Sequence, residues 1–362
     1  MLRIGRLLLA WIAVGALSFL NFHPTQATSP LFAVGFLTLL LAAILLASFG
    51  VLQEANALAD RLGEPYGSLI LTISVLIIEV VLIGAVMLGP TPAPTIGRDS
   101  IFSVMMIIMN LVVGAAIVLG SIRHGHQRFN PGGTRIYLWM IAAFGLVAFV
   151  APRLFTPYTG GFPPIWGAVL ATAVGLTYIV FLVLQMGRLK SLFQDRKEVV
   201  ELTASPPAPS FGTSISARFV VLLLLLVAIT LMSEHLGVII DFGIQEVGLP
   251  EAVGGLLIAA IVFTPETLTA LQAARNNQMQ RVVNLCLGAF VSTIGMALPA
   301  VVMLGLIAGQ EVTFGLDPLA TALFGATVIL SALTFRGRFT SAPYGVAHLA
   351  LFGVFAVTVF IG

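Results

Sequence analysis

The chain of 362 residues is poor in several things that most proteins have. Its single cysteine, Cys286, excludes an internal disulfide framework and any cysteine-based metal cluster. Only 9% of residues are Asp, Glu, Lys or Arg, too few to cover the surface of a water-soluble domain of this length. There is no basic domain and no soluble aromatic platform, so a nucleic-acid partner is excluded. HExxH, a Walker A sequence and paired intramembrane aspartates are all missing, which leaves hydrolytic enzymes and nucleotide-driven pumps without machinery. No pore loop or charge ring of a channel is visible either.

Hydrocarbon is what the chain has, at 59% hydrophobic residues. It is distributed over eleven apolar stretches near 5–22, 31–50, 66–89, 100–121, 135–151, 166–186, 216–235, 250–273, 281–308, 317–335 and 343–361. A bilayer crossing needs about twenty residues, and backbone groups in lipid must be satisfied internally, so these stretches are expected to be helices. The fold expected is an all-α polytopic membrane protein of about eleven transmembrane helices, the fifth of them short. The first stretch follows Arg3 and Arg6 as in a signal peptide, but Gln26-Ala27-Thr28-Ser29 is a poor cleavage site, so an uncleaved helix is expected.

Eleven crossings starting from a cytoplasmic N-terminus place fifteen of the 17 Lys and Arg residues in cytoplasmic loops, with Arg98 and Arg153 outside, as the positive-inside rule requires. The C-terminus is then outside. The longest polar segment, about 187–215, carries Ser205-Pro206-Pro207-Ala208-Pro209-Ser210 and reads as a cytoplasmic tether. It divides the chain into 1–30, an extra N-terminal helix; 31–186, a first five-helix unit; and 216–362, a second one.

Two acids sit in mid-span, Glu79 in the third stretch and Glu266 in the eighth, where a charge costs roughly 2.5–3.5 kcal/mol on insertion scales. Their surroundings match: Gly67 and Gly254 twelve residues before, Glu64 and Glu251 fifteen before, Val75 and Val262 four before. Five helices apart means opposite direction, so the two units are expected to be inverted repeats with the binding site near the midplane. Residues at helical spacing before each acid are small or hydroxylated, among them Thr72, Ser68, Ala259 and Gly255, which allows close helix approach. Glu64 and Glu251 would then stand at opposite mouths as vestibule acids, or serve as ordinary interfacial acids at helix N-termini. Pro265 removes one backbone bond and frees a carbonyl near Ile261, and Thr264 and Thr267 add hydroxyls. Asn110, Ser292 and Thr293 lie mid-way along the helices that follow each acid. Asn110, Ser292 and Thr264 are thus candidate secondary ligands beside the Glu79 and Glu266 cation and proton site. His348, without a repeat partner, reads as a packing residue.

At Arg61-Leu62-Gly63-Glu64-Pro65-Tyr66-Gly67-Ser68-Leu69-Ile70 running on to Glu79, the chain resembles the calcium/cation antiporter superfamily, and within it the bacterial ChaA-like branch of Ca2+/H+ exchangers. Phe263-Thr264-Pro265-Glu266, the run from Asn276 to Leu285 and Gly345-Val346-Ala347-His348-Leu349 are similar to that branch too. The resemblance implies a bacterial inner-membrane cation/proton antiporter with two inverted five-helix units whose α-repeat glutamates correspond to Glu79 and Glu266. It implies Ca2+ export against inward protons, with no cofactor and no obligate protein partner; the ions and membrane lipid are what the chain meets. Many family members read GNxxE before the acid. This chain reads Val75-Leu76-Ile77-Ile78-Glu79 and Val262-Phe263-Thr264-Pro265-Glu266, with fewer oxygen ligands, so Na+ or K+ in exchange for H+ stands as the alternative. Ca2+ takes six to eight oxygens, and two glutamates neutralise it. Two close glutamates titrate as a coupled pair, and protons and cation then compete for the same oxygens.

Overall fold

The computed structural model describes residues 2–20, 29–62, 66–89, 93–156, 161, 163–193 and 214–361. The main helices are α1 (Leu2–Leu20), α2 (Pro30–Leu62), α3 (Tyr66–Met87), α4 (Ile96–His124), α5 (Pro131–Phe155), α6 (Pro164–Met186), α7 (Ile215–Val247), α8 (Glu251–Arg275), α9 (Met279–Ala308), α10 (Pro318–Thr334) and α11 (Ala342–Ile361). Among the described residues, nine are long and apolar enough to cross a membrane, and two apolar helices are shorter, Gly5–Phe19 within α1 and Pro318–Thr334. Outward-facing side chains such as Ile165, Leu176 and Val183 are exposed, a surface suited to hydrocarbon rather than water.

Each expected apolar stretch coincides with one of these helices, but several ends differ. α2 and α7 are 33 residues each, well beyond 31–50 and 216–235. Hydropathy drops at Gln53 and Glu54, yet the helix continues because tertiary partners receive the polar groups. Arg6 donates to Gln53 Oε1 at 2.8 Å, and Arg218 pairs with the buried Glu54 at 3.3 Å. Val51, Ala55 and Leu58 face the core on the same extension. The fifth helix is not short. It starts at Pro131, with the Asn130 side chain accepting from Gly132 N, a start signal with proline in the first turn. It then runs through a π-helical stretch, Leu146–Val150, to Phe155.

Two other helices carry π turns, Met106–Val112 in α4 and Thr293–Ala297 in α9. The offset between Glu79 and Glu266 is 187 residues (266 minus 79), and it carries Met106 onto Thr293 and Pro131 onto Pro318, the first residues of α5 and α10. π turns concentrate at functional sites because the extra residue re-aims neighbouring side chains.

Contacts fix the relative directions. α4 and α8 run parallel: Thr95, just before α4, bonds Glu251 at the start of α8 (3.2 Å), and His124 at the end of α4 meets the Arg275 carbonyl at the end of α8 (2.8 Å). α2 and α7 are antiparallel, with Gly50 against Leu225 and Glu54 against Arg218. α3 runs parallel to α9, since Thr293 bonds Glu79 and Leu304 packs over Gly84. α8 turns back into α9 through Asn276–Gln278, where Asn277 has φ 59°. The helices of Glu79 and Glu266 are therefore antiparallel.

The loops sort into two ends. At one, strand β1 (Gln127–Arg128) pairs with β2 (Phe339–Thr340), and Asn130 N bonds Gln280 at 2.6 Å. At the other, Thr313 N bonds the Pro94 carbonyl, Leu316 N bonds Phe149 and Arg153 bonds Leu316. Arg98 and Arg153 lie at this second end, apart from the other described basic loops.

Candidate functional site

Helical spacing along α3 turns Thr72, Val75, Leu76 and Glu79 to one side, and all four line a cavity of about 540 Å3. α9 contributes Asn284, Gly288, Ser292 and Thr293 by the same spacing, α8 contributes Phe263 and Glu266, and α5 and α6 contribute Tyr137, Tyr178 and Gln185. At the basic-loop end the cavity reaches Lys190 and Arg281.

Glu79 is buried, and its Oε2 accepts from Thr293 Oγ1 at 3.1 Å. Thr293 is the first residue of the α9 π turn, so the turn aims the hydroxyl at the acid. Glu79 Oε1 and Glu266 Oε2 are buried with no hydrogen-bond partner among the described residues. A buried, unpartnered carboxylate oxygen is expensive, and here two of them belong to acids facing one cavity. A cation fits that donor set, since its charge compensates the carboxylates and its shell takes their free oxygens.

The other expected ligands are placed as follows. Ser292 lines the cavity, but its hydroxyl bonds the Ala289 carbonyl at 2.7 Å, and the neighbouring Thr293 makes the contact to Glu79. Thr264 does not line the cavity; its hydroxyl bonds the Ala260 carbonyl one turn back, as Thr267 bonds Phe263. Such back-bonding absorbs the hydroxyls on either side of Pro265. Glu251 stands at the end of α8 remote from the basic loops, exposed, held by Thr95. Glu64 lies outside the described residues.

Asn110 is fully buried but belongs to a separate network. Its Nδ2 donates to Thr327 Oγ1 at 2.9 Å, and its Oδ1 meets His348 Nδ1 at 2.9 Å, whose Nε2 meets Thr334 Oγ1 at 3.0 Å. This ties α4, α10 and α11 together and accounts for His348 as a hydrogen-bonded packing residue. Asn110→Ala strands buried polar groups on both partners, which costs about 1–3 kcal/mol. The expected result is a lower midpoint of thermal unfolding in detergent, with exchange per folded molecule retained. Lost exchange at an unchanged midpoint would make Asn110 a ligand after all.

Sequence reasoning missed Tyr137, Gln185, Lys190, Arg281 and Asn284 as cavity residues. For Asn284 and Arg281 a signal was available: they lie eight and eleven residues before Ser292, within about 80° of it around α9. Tyr137 and Gln185 come from α5 and α6 and Lys190 from the one-turn helix that follows α6, and none had a local signature.

An all-helical membrane bundle with two antiparallel acid-bearing helices around one cavity defines the class of polytopic ion carriers. The sodium/calcium exchanger protein family matches residues 32–187 and 217–361, and the chain belongs to that family. It is 33% identical over 327 residues to the sodium-potassium/proton antiporter ChaA of Escherichia coli, covering 89% of this chain and 88% of that one. It is also 33% identical to the putative ionic transporter y4hA of Sinorhizobium fredii, covering 85% and 84%. Among solved structures, native YfkE superposes over the whole of both chains with a TM-score of 0.74 at 16% identity. A crystal structure of the selenium-substituted form of that protein describes it as a Ca2+/H+ antiporter.

Proposed function

We propose that the chain is a secondary active cation/proton antiporter of the bacterial inner membrane, with its basic loops and N-terminus in the cytoplasm. Its two halves, α2–α6 and α7–α11, act as inverted repeats around the acid pair. One observation carries the reading: Glu79 and Glu266 each have a buried carboxylate oxygen without a hydrogen-bond partner among the described residues, and both face a single cavity. The antiparallel acid helices, the 187-residue offset between the π turns and the names of the 33% identical relatives support it.

The mechanism is alternating access with competition at one site. With its mouth at Lys190 and Arg281, the cavity is inward-facing, so cytoplasmic cation reaches the acids and displaces their protons. The loaded site then opens outward, the cation leaves, and protons return on the same oxygens. No separate coupling device is needed, because the protonated and the cation-bound pair exclude one another.

Ca2+ is the first reading of the cation, since two carboxylates neutralise one divalent ion. Na+ or K+ is the second, favoured by the absence of an amide residue in the four positions before either acid and by the sodium-potassium/proton antiporter among the relatives. Everted membrane vesicles with an acid interior test both readings. Added Ca2+, Na+ or K+ should release protons, seen as dequenching of a pH-sensitive dye. Lowering pH on the cytoplasmic face should raise the apparent KM for cation and leave the maximal rate unchanged. A KM independent of pH would remove the shared-site mechanism.

A further inference from the structure

The cavity lining holds four charged side chains: Glu79 and Glu266 inside, and Lys190 and Arg281 exposed at the rim. Two positive charges at the entrance to a cation site oppose its traffic and call for an explanation. Neither is neutralised by a carboxylate of the described residues within ion-pair distance. The backbone that carries each of them is anchored. Lys190 opens a one-turn helix, Lys190–Phe193, which is strapped across the end of α5. Phe193 is buried with its ring 4.9 Å from that of Tyr137, and Asn284 of α9 donates to its carbonyl. Arg281 lies one turn before Asn284, and its neighbour Gln280 bonds both Asn284 and Asn130 N. The anchored backbone therefore keeps both side chains at the mouth, where their charges contribute to its electrostatic field.

We propose that Lys190 and Arg281 are selectivity residues that hold back divalent cations from the cytoplasmic mouth far more than monovalent ones. This rests on the antiporter reading above. The local concentration of an ion in a charged cleft follows the exponential of its charge times the potential there. If the rim lowers the concentration of a monovalent cation by some factor, it lowers that of a divalent cation by the square of that factor. One unit charge about 10 Å from the entry path, in water at low salt, corresponds to about twofold for a monovalent ion and about fourfold for a divalent one. Two such charges give about fourfold and about sixteenfold. The effect shrinks as the Debye length falls from about 30 Å at 0.01 M salt to about 10 Å at 0.1 M.

The test uses the full chain in everted vesicles, with initial rates at subsaturating Ca2+, Na+ or K+ for wild type, Lys190→Gln, Arg281→Gln, the double variant and Arg281→Lys. At low ionic strength, neutralisation should raise the entry rate of every transported cation, with the Ca2+ factor equal to the square of the monovalent factor. Where only one class is transported, the factors should approach sixteenfold for Ca2+ or fourfold for Na+ or K+ in the double variant. The gain should fade in 0.1 M salt, be absent in Arg281→Lys, and be absent when cation is offered from the opposite face in right-side-out vesicles. Unchanged rates, equal factors for Ca2+ and Na+, or a gain insensitive to salt would overturn the proposal while leaving the antiporter intact. Wild-type vesicles that respond to none of the three cations would overturn the antiporter reading, and this one with it.

Discussion

Glu79→Gln should abolish cation-evoked proton release, with exchange falling by at least about 100-fold. The substitution is nearly isosteric. Its amide oxygen still accepts from Thr293 Oγ1, the bond that Glu79 Oε2 makes at 3.1 Å, so the packing of α3 against α9 survives. What disappears is the charge. Removing one partner of a buried charge pair costs about 3–5 kcal/mol, which is about two to four orders of magnitude in affinity. Glu266→Gln removes the other charge facing the same cavity and should do the same to a divalent cation, which needs both carboxylates. A monovalent cation needs only one ionised acid, so exchange of Na+ or K+ surviving in one of the two variants would assign the chain to monovalent transport. The measurement is dequenching in everted vesicles at matched protein levels. Wild-type exchange of every cation in Glu79→Gln would show that the acid pair is not the transport site.

The second large effect is on stability. Gly255→Ala should destabilise the bundle by about 1–3 kcal/mol, the usual cost of forcing a methyl group into a packed interior. A Cβ at this position would lie 2.5 Å from the Asp99 carbonyl carbon and 2.6 Å from Ser100 N. Those are backbone atoms of α4 and cannot swing away, so α4 and α8 would have to separate. Gly325→Ala is the matched control, because a Cβ there meets nothing within 4 Å; it should stay within about 0.5 kcal/mol of wild type. Thermal unfolding in detergent reads both. Equal midpoints for the two variants would mean that α4 and α8 do not touch backbone to backbone at this crossing. Since α8 carries Glu266, the same crossing sets where that acid stands relative to Glu79.

The sequence alone determined the membrane character, the order of the helices, the acid pair and the grouping of basic loops. Each of these follows from a local property: an apolar run must be helical in lipid, and a carboxylate at mid-span is conspicuous because little else there is charged. Helix ends were less legible. α2 runs on to Leu62 because Arg218 and Arg6, distant in sequence, receive Glu54 and Gln53, and no local window contains those partners. The ligand set was decided only by packing. Thr264, adjacent to Pro265, turns its hydroxyl back onto its own helix, and Asn110 is claimed by Thr327 and His348 from α10 and α11. Thr293, rather than Ser292 beside it, reaches Glu79. A hydroxyl or amide at membrane depth announces that it needs a partner, and its sequence says nothing of which helix supplies one. Which of several polar side chains meets the acids depends on helix rotation and π turns, and these are set by contacts such as Gly255 on Asp99 that join residues more than 150 positions apart.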